Sequence, residues 1–388
     1  MDYNFFMSLK TIKPAKIIET VEDLQTMVSK LINEPFIGVD TESNSLFVYE
    51  EKVCLIQFSS KDEDFLVDPV KLSNVSSLIQ IFSNPNIQKI FHAAEYDLMC
   101  LKRDFQFNFS NIFDTMVASK ILGKKEVGLQ SLLFEFFDVS VEKKYQRANW
   151  GKRPLSKEML FYAQNDTHYL IGLRNILHQK LTESNKCELA TEDFIRLTQV
   201  DPFVNNKNND QYWRIIKGNS LTPKQESILI ELFFLRETIA KQLNRPPFKV
   251  FGNQVIVDLA KTIPGNKAQL SDIHGLSENI IHRFGNQILS SIDIGSKKTT
   301  NHRKEKKQPN FYFLHRYDAL KQWRKMKAKE LGVESDIVLP KEHMELLAYK
   351  ETCEMNEIQH IMENIPFRFE KFGKEIYSVM EGVKNYEN

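Results

Sequence analysis

Apolar residues over the first two hundred positions follow two rhythms. Short runs rich in branched and aromatic residues, Phe36–Glu42, Val53–Ser59, Phe65–Val67 and Ile87–Phe91, are separated by charged turns. They predict strands. Elsewhere apolar positions recur at helical spacing, in Val21–Ile32, Val75–Phe82, Glu95–Arg103, Thr115–Leu122, Leu129–Phe137 and Ser156–Leu177. Strands clustered early and then alternating with helices predict an α/β domain with a mixed sheet.

Beyond Val200 the strand rhythm stops. Asp201–Asp210 is polar and turn-rich and reads as a linker. Thr222 then fits a helix N-cap, with Pro223 at the first helical position, where its missing N–H costs nothing. Ile228, Leu229, Leu232, Leu235, Ile239 and Leu243 form the apolar face of that helix, and Asn244-Arg245-Pro246-Pro247 stops it. Ser296–Asn310 carries six Lys/Arg against one Glu and no apolar residue. It reads as a flexible basic linker, either a solvated tether or a segment that touches nucleic acid. The helices on its two sides share a weak repeat: Leu235-Arg236, Ala240 and Leu243 match Trp323-Arg324, Ala328 and Leu331 at a constant offset. Phe248-Lys249-Val250 and Ile337-Val338-Leu339 extend the likeness, so two copies of a small helical module are expected. The expected domains are 1–205, 206–295, a linker at 296–309, and 310–388.

Composition narrows the function. The 388 residues carry 52 Lys+Arg against 51 Asp+Glu. A bulk basic field for nucleic acid is therefore absent, and phosphate chains must be met by local patches or metals. No apolar run approaches the roughly 20 residues of a membrane span, so no membrane association is expected. The start of the chain lacks a secretory pattern. Cys54, Cys100, Cys187 and Cys353 form no CxxC pair, which excludes a zinc ribbon and predicts buried thiols in a reducing compartment, the cytoplasm. Walker loops, HExxH and GxSxG are also missing.

The candidate chemistry lies in acids. Asp40 and Glu42 are two apart on a strand and share one face, with Val39 and Thr41 facing the other way. Two carboxylates so close repel unless a cation sits between them, and hard divalent cations take oxygen ligands. Alone, D-x-E is more often a solvated strand end. Asp97 follows the Ile87–Phe91 strand, in the first turn of the next helix. Asp166 lies on a helix opened by Ser156, with Tyr162 four residues earlier on the same face. His92 reads as a polar strand end and Asp114-Thr115 as a helix cap.

Gly38–Ser43 (GVDTES), His92–Leu101 (HAAEYDLMCL) and Phe161–Leu170 (FYAQNDTHYL) resemble the three motifs of the DEDD 3′→5′ exonucleases, and Tyr162 matches their tyrosine subclass. Residues 128–156, with Trp150-x-x-Arg153-Pro154-Leu155, are similar to ribonuclease D, and residues 232–251 to the HRDC module that follows its nuclease domain. Asn149 departs from the usual Asp before the Trp, and the second helical copy lacks the Pro-Pro signature.

The resemblance implies a ribonuclease H-like α/β nuclease domain followed by two small all-α HRDC-like domains. It implies that Asp40, Glu42, Asp97 and Asp166 hold two divalent cations, Mg²⁺ or Mn²⁺, and favours Asp97 over the nearby Glu95. It implies a 3′→5′ exoribonuclease acting on RNA with a single-stranded 3′ end, such as tRNA precursors, and releasing 5′-mononucleotides. Tyr162 is a poor base, because a phenol has a pKa of about 10, so orientation of the attacking water is its expected role. Lys143, Lys144, Arg147, Trp150 and Arg153 form a basic and aromatic run that either grips a single strand or, for Trp150 and Arg153, packs the loop. A DNA exonuclease and a silent nucleic-acid-binding scaffold are the rival readings; protein partners are unknown.

Overall fold

The computed structural model describes residues 12–141, 143–202, 211–298, 311–350 and 354–384. They form two compact units, one drawn from Met1–Ser43, Val53–Phe203 and Lys307–Asn388, the other from Asn44–Lys52 and Val204–Lys306.

The first unit opens with β1 (Lys16–Ile18), α1 (Val21–Leu31), β2 (Phe36–Ser43), β3 (Val53–Ser59), β4 (Asp64–Val67), α2 (Ile79–Phe82), β5 (Gln88–Phe91), α3 (Glu95–Phe105) and β6 (Ile112–Asp114). Then follow α4 (Thr115–Ile121), α5 (Leu129–Phe137), α6 (Lys157–His168), α7 (Leu170–Glu183) and α8 (Cys187–Thr198). The sheet runs β1-β4-β3-β2-β5-β6. β2–β3 and β3–β4 are antiparallel, and the other neighbours are parallel. This is the mixed sheet that the apolar runs predict.

Both faces of the sheet are covered. Ile56 and Phe58 of β3 pack with Leu24, Met27, Leu98 and Leu101 from α1 and α3. Cys54 and Leu55 pack instead with Trp150, Tyr162 and Ala163. Complete burial of side chains of this size contributes about 1.5–3 kcal/mol each.

Some elements lie outside the sequence expectation. β1 and β6 have three residues each, too few to show a period, and α8 was not foreseen. The single helix expected over Ser156–Leu177 is two, α6 and α7, meeting at Tyr169. The apolar rhythm crosses the joint, but the last residue of α6, His168, is held by Asp64 of β4 at 2.8 Å. Cys54 and Cys100 are buried as expected, whereas Cys187 is half-buried. Cys353 and Glu142 lie outside the described residues, as do 203–210 of the first linker and 299–310 of the basic one. Among the described residues, no helix is long and apolar enough to cross a membrane.

The second unit holds α9 (Tyr212–Lys217), α10 (Pro223–Leu243), α11 (Asn253–Thr262), α12 (Lys267–Ser271) and α13 (Glu278–Lys297). Thr222 and Gln225 form a capping box around Pro223, and Asn244 ends α10 at φ 45°. Gly295 permits a close helix contact: a Cβ there would meet the Ile228 Cα at 2.5 Å.

The last helices are α14 (Phe311–Leu331), α15 (Ser335–Val338), α16 (Lys341–Tyr349), α17 (Met355–Ile361) and α18 (Pro366–Lys384). They belong to the first unit. Arg368, wholly buried, is ion-paired to Glu192 and Asp193 of α8 and donates to the Ile337 carbonyl at 2.9 Å. Glu192 also accepts the backbone N–H of Phe367 at 2.7 Å, at the start of α18, where helix donors lack partners.

The repeat read from the sequence has a structural counterpart. Arg236 Nη1 donates to the Phe251 carbonyl at 3.3 Å, and Arg324 Nη1 to the Leu339 carbonyl at 2.8 Å. Leu232 and Leu320, Leu259 and Leu347, and Ala260 and Ala348 are fully buried pairs at the same separation.

Candidate active site

The site is assembled where β2, the start of α3 and α6 meet. Three polar ties seat α6 on the sheet: Thr167 with Ser59 at 2.7 Å, Gln164 to Asp64 at 2.7 Å, and His168 with Asp64. The helix approaches β2 so closely that a Cβ on Gly38 would stand 2.7 Å from the Thr167 carbonyl oxygen. That contact explains the glycine two residues before Asp40. Ser156 caps α6 through the Met159 N–H.

Asp40 and Glu42 lie on β2, opposite Gln57 and Leu55 of β3, with a register irregularity just after Glu42. Asp97 sits in the first turn of α3 and Asp166 on α6. The Thr41 hydroxyl donates to Asp97, and the Tyr162 phenol is hydrogen-bonded to Asp166. Thr41 does face away from Asp40, and that face is where it meets α3. The sequence signal for this role is the strand alternation itself.

The four acids are half-buried and act on one another. Burial, followed by the charges of Asp97, Asp166 and Glu42, pushes Asp40 well above the carboxylate range. Burial and the same neighbours push Glu42 up to about 9. Burial raises Asp97 to about 7, against the Thr41 hydrogen bond. Asp166 rises to about 7, mainly by burial, with a further push from Asp97. Tyr162 is raised by burial and by Asp166, Glu42 and Asp40, so the phenol stays protonated. Among the described residues, no three His, Cys, Asp or Glu side chains already stand as a finished metal-ligating group. Asp97 and Asp166 are turned to their hydroxyl donors. The four are neighbours in charge, supplying hard oxygen donors without a side-chain cation to balance them, and this donor set suits divalent Mg²⁺ or Mn²⁺.

Glu95 is exposed and stands apart from the four. His92 Nδ1 meets the Thr115 hydroxyl at 2.9 Å, and burial lowers its pKa to about 4, so it is neutral near pH 7. Asp114 caps α4, accepting from Met116 and Val117, and also accepts the Ala93 and Ala94 N–H groups. It thereby fixes the turn that leads to Asp97.

The basic run divides. Lys143, Lys144 and Arg147 are exposed. Trp150 is only 1% exposed and packs against Tyr162, with ring centroids 6.1 Å apart. Arg153 forms a two-point ion pair with Asp68 and donates to the carbonyls of Cys54, Trp150 and Lys152. The expectation that Trp150 and Arg153 bind substrate is therefore corrected: one has no free face for a base, and the other has its guanidinium committed. They brace the loop and Tyr162. Asp68, which anchors Arg153, carries no signal in the sequence that would have marked it.

Comparison with known proteins agrees with this architecture. A 3′-5′ exonuclease family model matches residues 15–182, and an HRDC domain model matches residues 225–292. The chain is similar to ribonuclease D in both its nuclease and its HRDC regions. It is 27% identical to the ribonuclease D of Desulfotalea psychrophila, over 95% of this chain and 98% of that one. It is 34% identical to the Exosome complex component 10 homolog of Caenorhabditis elegans over 67% of this chain, but spans only 30% of that relative's length. Among solved structures, the catalytic core of RRP6 from Trypanosoma brucei superposes with a TM-score of 0.64 at 28% identity, covering 76% of this chain and 85% of that one. The 3′-5′ exonuclease match spans all four acids and Tyr162.

Proposed function

We propose that the protein is a metal-dependent 3′→5′ exoribonuclease that removes nucleotides singly from unpaired 3′ ends of small structured RNAs such as tRNA precursors. The observation that carries this reading is the meeting of half-buried Asp40, Glu42, Asp97 and Asp166 at the junction of β2, α3 and α6, near enough for the charges of Asp97 and Asp166 to act on both acids of β2. These four residues would hold two Mg²⁺ or Mn²⁺ ions, which when bound neutralise the phosphodiester, acidify a water and stabilise the leaving oxygen.

The chain's own residues do the rest. Tyr162, kept protonated and packed against Tyr145 and Trp150, gives its O–H to Asp166 and orients the attacking water through a hydrogen bond accepted at the phenol oxygen. Lys143, Lys144 and Arg147 are free to meet backbone phosphates, an affinity that should weaken with salt. The helical modules hold the body of the RNA. Similarity to a ribonuclease D along nearly the whole chain supports RNA as the polymer. The buried thiols of Cys54 and Cys100 fit a reducing compartment such as the cytoplasm.

The test is digestion of a 3′-extended RNA and a matched DNA with Mg²⁺, with EDTA, and by Asp166→Asn. Stepwise 5′-mononucleotides from RNA, lost with EDTA and in the variant, are expected. Internal fragments, or equal cutting in EDTA, overturn the reading. Tyr162→Phe should slow turnover more than it weakens cation binding.

A further inference from the structure

Beneath α6 the sheet carries a polar side chain that the site described so far does not use. Gln57, on β3, is wholly buried, and neither its carboxamide oxygen nor its nitrogen has a hydrogen-bond partner among the described residues. A buried amide left unpaired is costly, and native structures rarely keep one without a use.

Its place in the sheet indicates that use. The strand registers set Asp40, Gln57 and Leu66 in one row across β2, β3 and β4. Directly opposite residues in antiparallel strands project to the same face, with Cβ atoms about 4.5–5.5 Å apart. That face is the one covered by α6, because Leu55 packs with Tyr162 and Ala163, and Ser59 bonds Thr167. Gln57 therefore lies beside Asp40, under the helix that carries Asp166.

The neighbouring acids each have a neutral side-chain donor, whereas Asp40 has the Thr41 backbone N–H and, among the described residues, no such side chain. Asp97 has a neutral side-chain donor in the Thr41 hydroxyl, and Asp166 has one in the Tyr162 phenol. A carboxylate that gives one oxygen to a cation still needs its orientation set by a hydrogen bond to the other. A lysine or arginine there would compete with the cation by charge; a carboxamide donates without adding charge.

We propose that Gln57 is a positioning residue of the cation centre, its carboxamide N–H donating to the Asp40 carboxylate when that carboxylate holds a divalent cation. The inference rests on the cation-dependent reading of the site.

The test measures Mn²⁺ binding to the full chain without RNA, by calorimetry, together with thermal melting in EDTA. Gln57→Met and Gln57→Leu should bind Mn²⁺ about 10–100-fold more weakly, yet melt in EDTA at or above the wild-type temperature. In an Asp40→Asn background, Gln57→Met should cause no further loss. An affinity within about twofold of wild type, an undiminished loss in the Asp40→Asn background, or failure of both variants to melt cooperatively overturns the proposal. If the wild type itself binds no Mn²⁺, the cation reading falls as well. If the wild type binds and both Gln57 variants bind equally well, only this inference falls.

Discussion

The two helical regions are alike inside and different in attachment. In each, an arginine on the long first helix donates to a carbonyl fifteen positions later, Arg236 to Phe251 and Arg324 to Leu339. In each, the Nε of that arginine is buried without a hydrogen-bond partner among the described residues. Yet the first region forms the body of a compact unit of its own, whereas the second is counted with the nuclease sheet. Part of the difference is Arg368, whose guanidinium and helix start are taken by Glu192 and Asp193 of α8; Ile337 and Phe367 also pack into the core around Phe113 and Phe194. Similar internal packing thus leaves attachment undetermined; a few buried charges and apolar contacts decide whether a module is separate or built in.

Three measurements break or sharpen this contrast. The largest effect is expected from Arg368→Ala, which strands the buried Glu192 carboxylate and leaves Asp193 only its pair with Arg196; it should cost about 3–5 kcal/mol in the first unit. Calorimetry should show that unit's transition falling while the Val204–Lys306 unit holds. No change would mean that the pair does not join the module to the nuclease.

A smaller and symmetric effect is expected from Arg236→Ala and Arg324→Ala. Each removes the donor from a buried carbonyl, at about 1–3 kcal/mol. Hydrogen exchange should report the loss within the mutated module in each case. Strongly unequal losses would argue that the two regions do not share one internal design.

The third measurement is a pH effect in EDTA. Asp97 and Asp166 titrate at about 7 and Glu42 at about 9 in the folded chain, above the ordinary range of about 4. The folded form therefore holds protons that the unfolded chain would release. Stability from these groups is complete below about pH 4 and is lost as pH rises through 7 to 9. The first unit, with its built-in module, should melt lower across that window, while the second unit stays flat. Asp97→Asn should shallow the slope, and a flat profile in the wild type would deny the coupling.

Much of the site was legible because its signals are local. Strand alternation put Asp40 and Glu42 on one face, and helical spacing after a Ser156 cap put Tyr162 and Asp166 on another; their grouping into one site rested on the resemblance to DEDD exonucleases. For Trp150 and Arg153 the sequence left substrate contact and loop packing both open, because a basic, aromatic loop has the same composition whether it faces solvent or folds inward. Gln57 and Asp68 were invisible for a related reason. Their roles depend on a cross-strand neighbour in one case and on an arginine 85 positions away in the other.

Spacing along short stretches was enough for the mixed α/β character, the pairing of Asp40 with Glu42 on one strand face, the capped helix at Pro223 and the repeat of Arg236 in Arg324. Tertiary structure alone decided that Arg153 serves Asp68, that Gln57 lies beside Asp40, and that the last module is tied to α8. Those outcomes depend on which distant surfaces are buried together, and the cost of an unpaired buried charge or amide is set only once that burial exists.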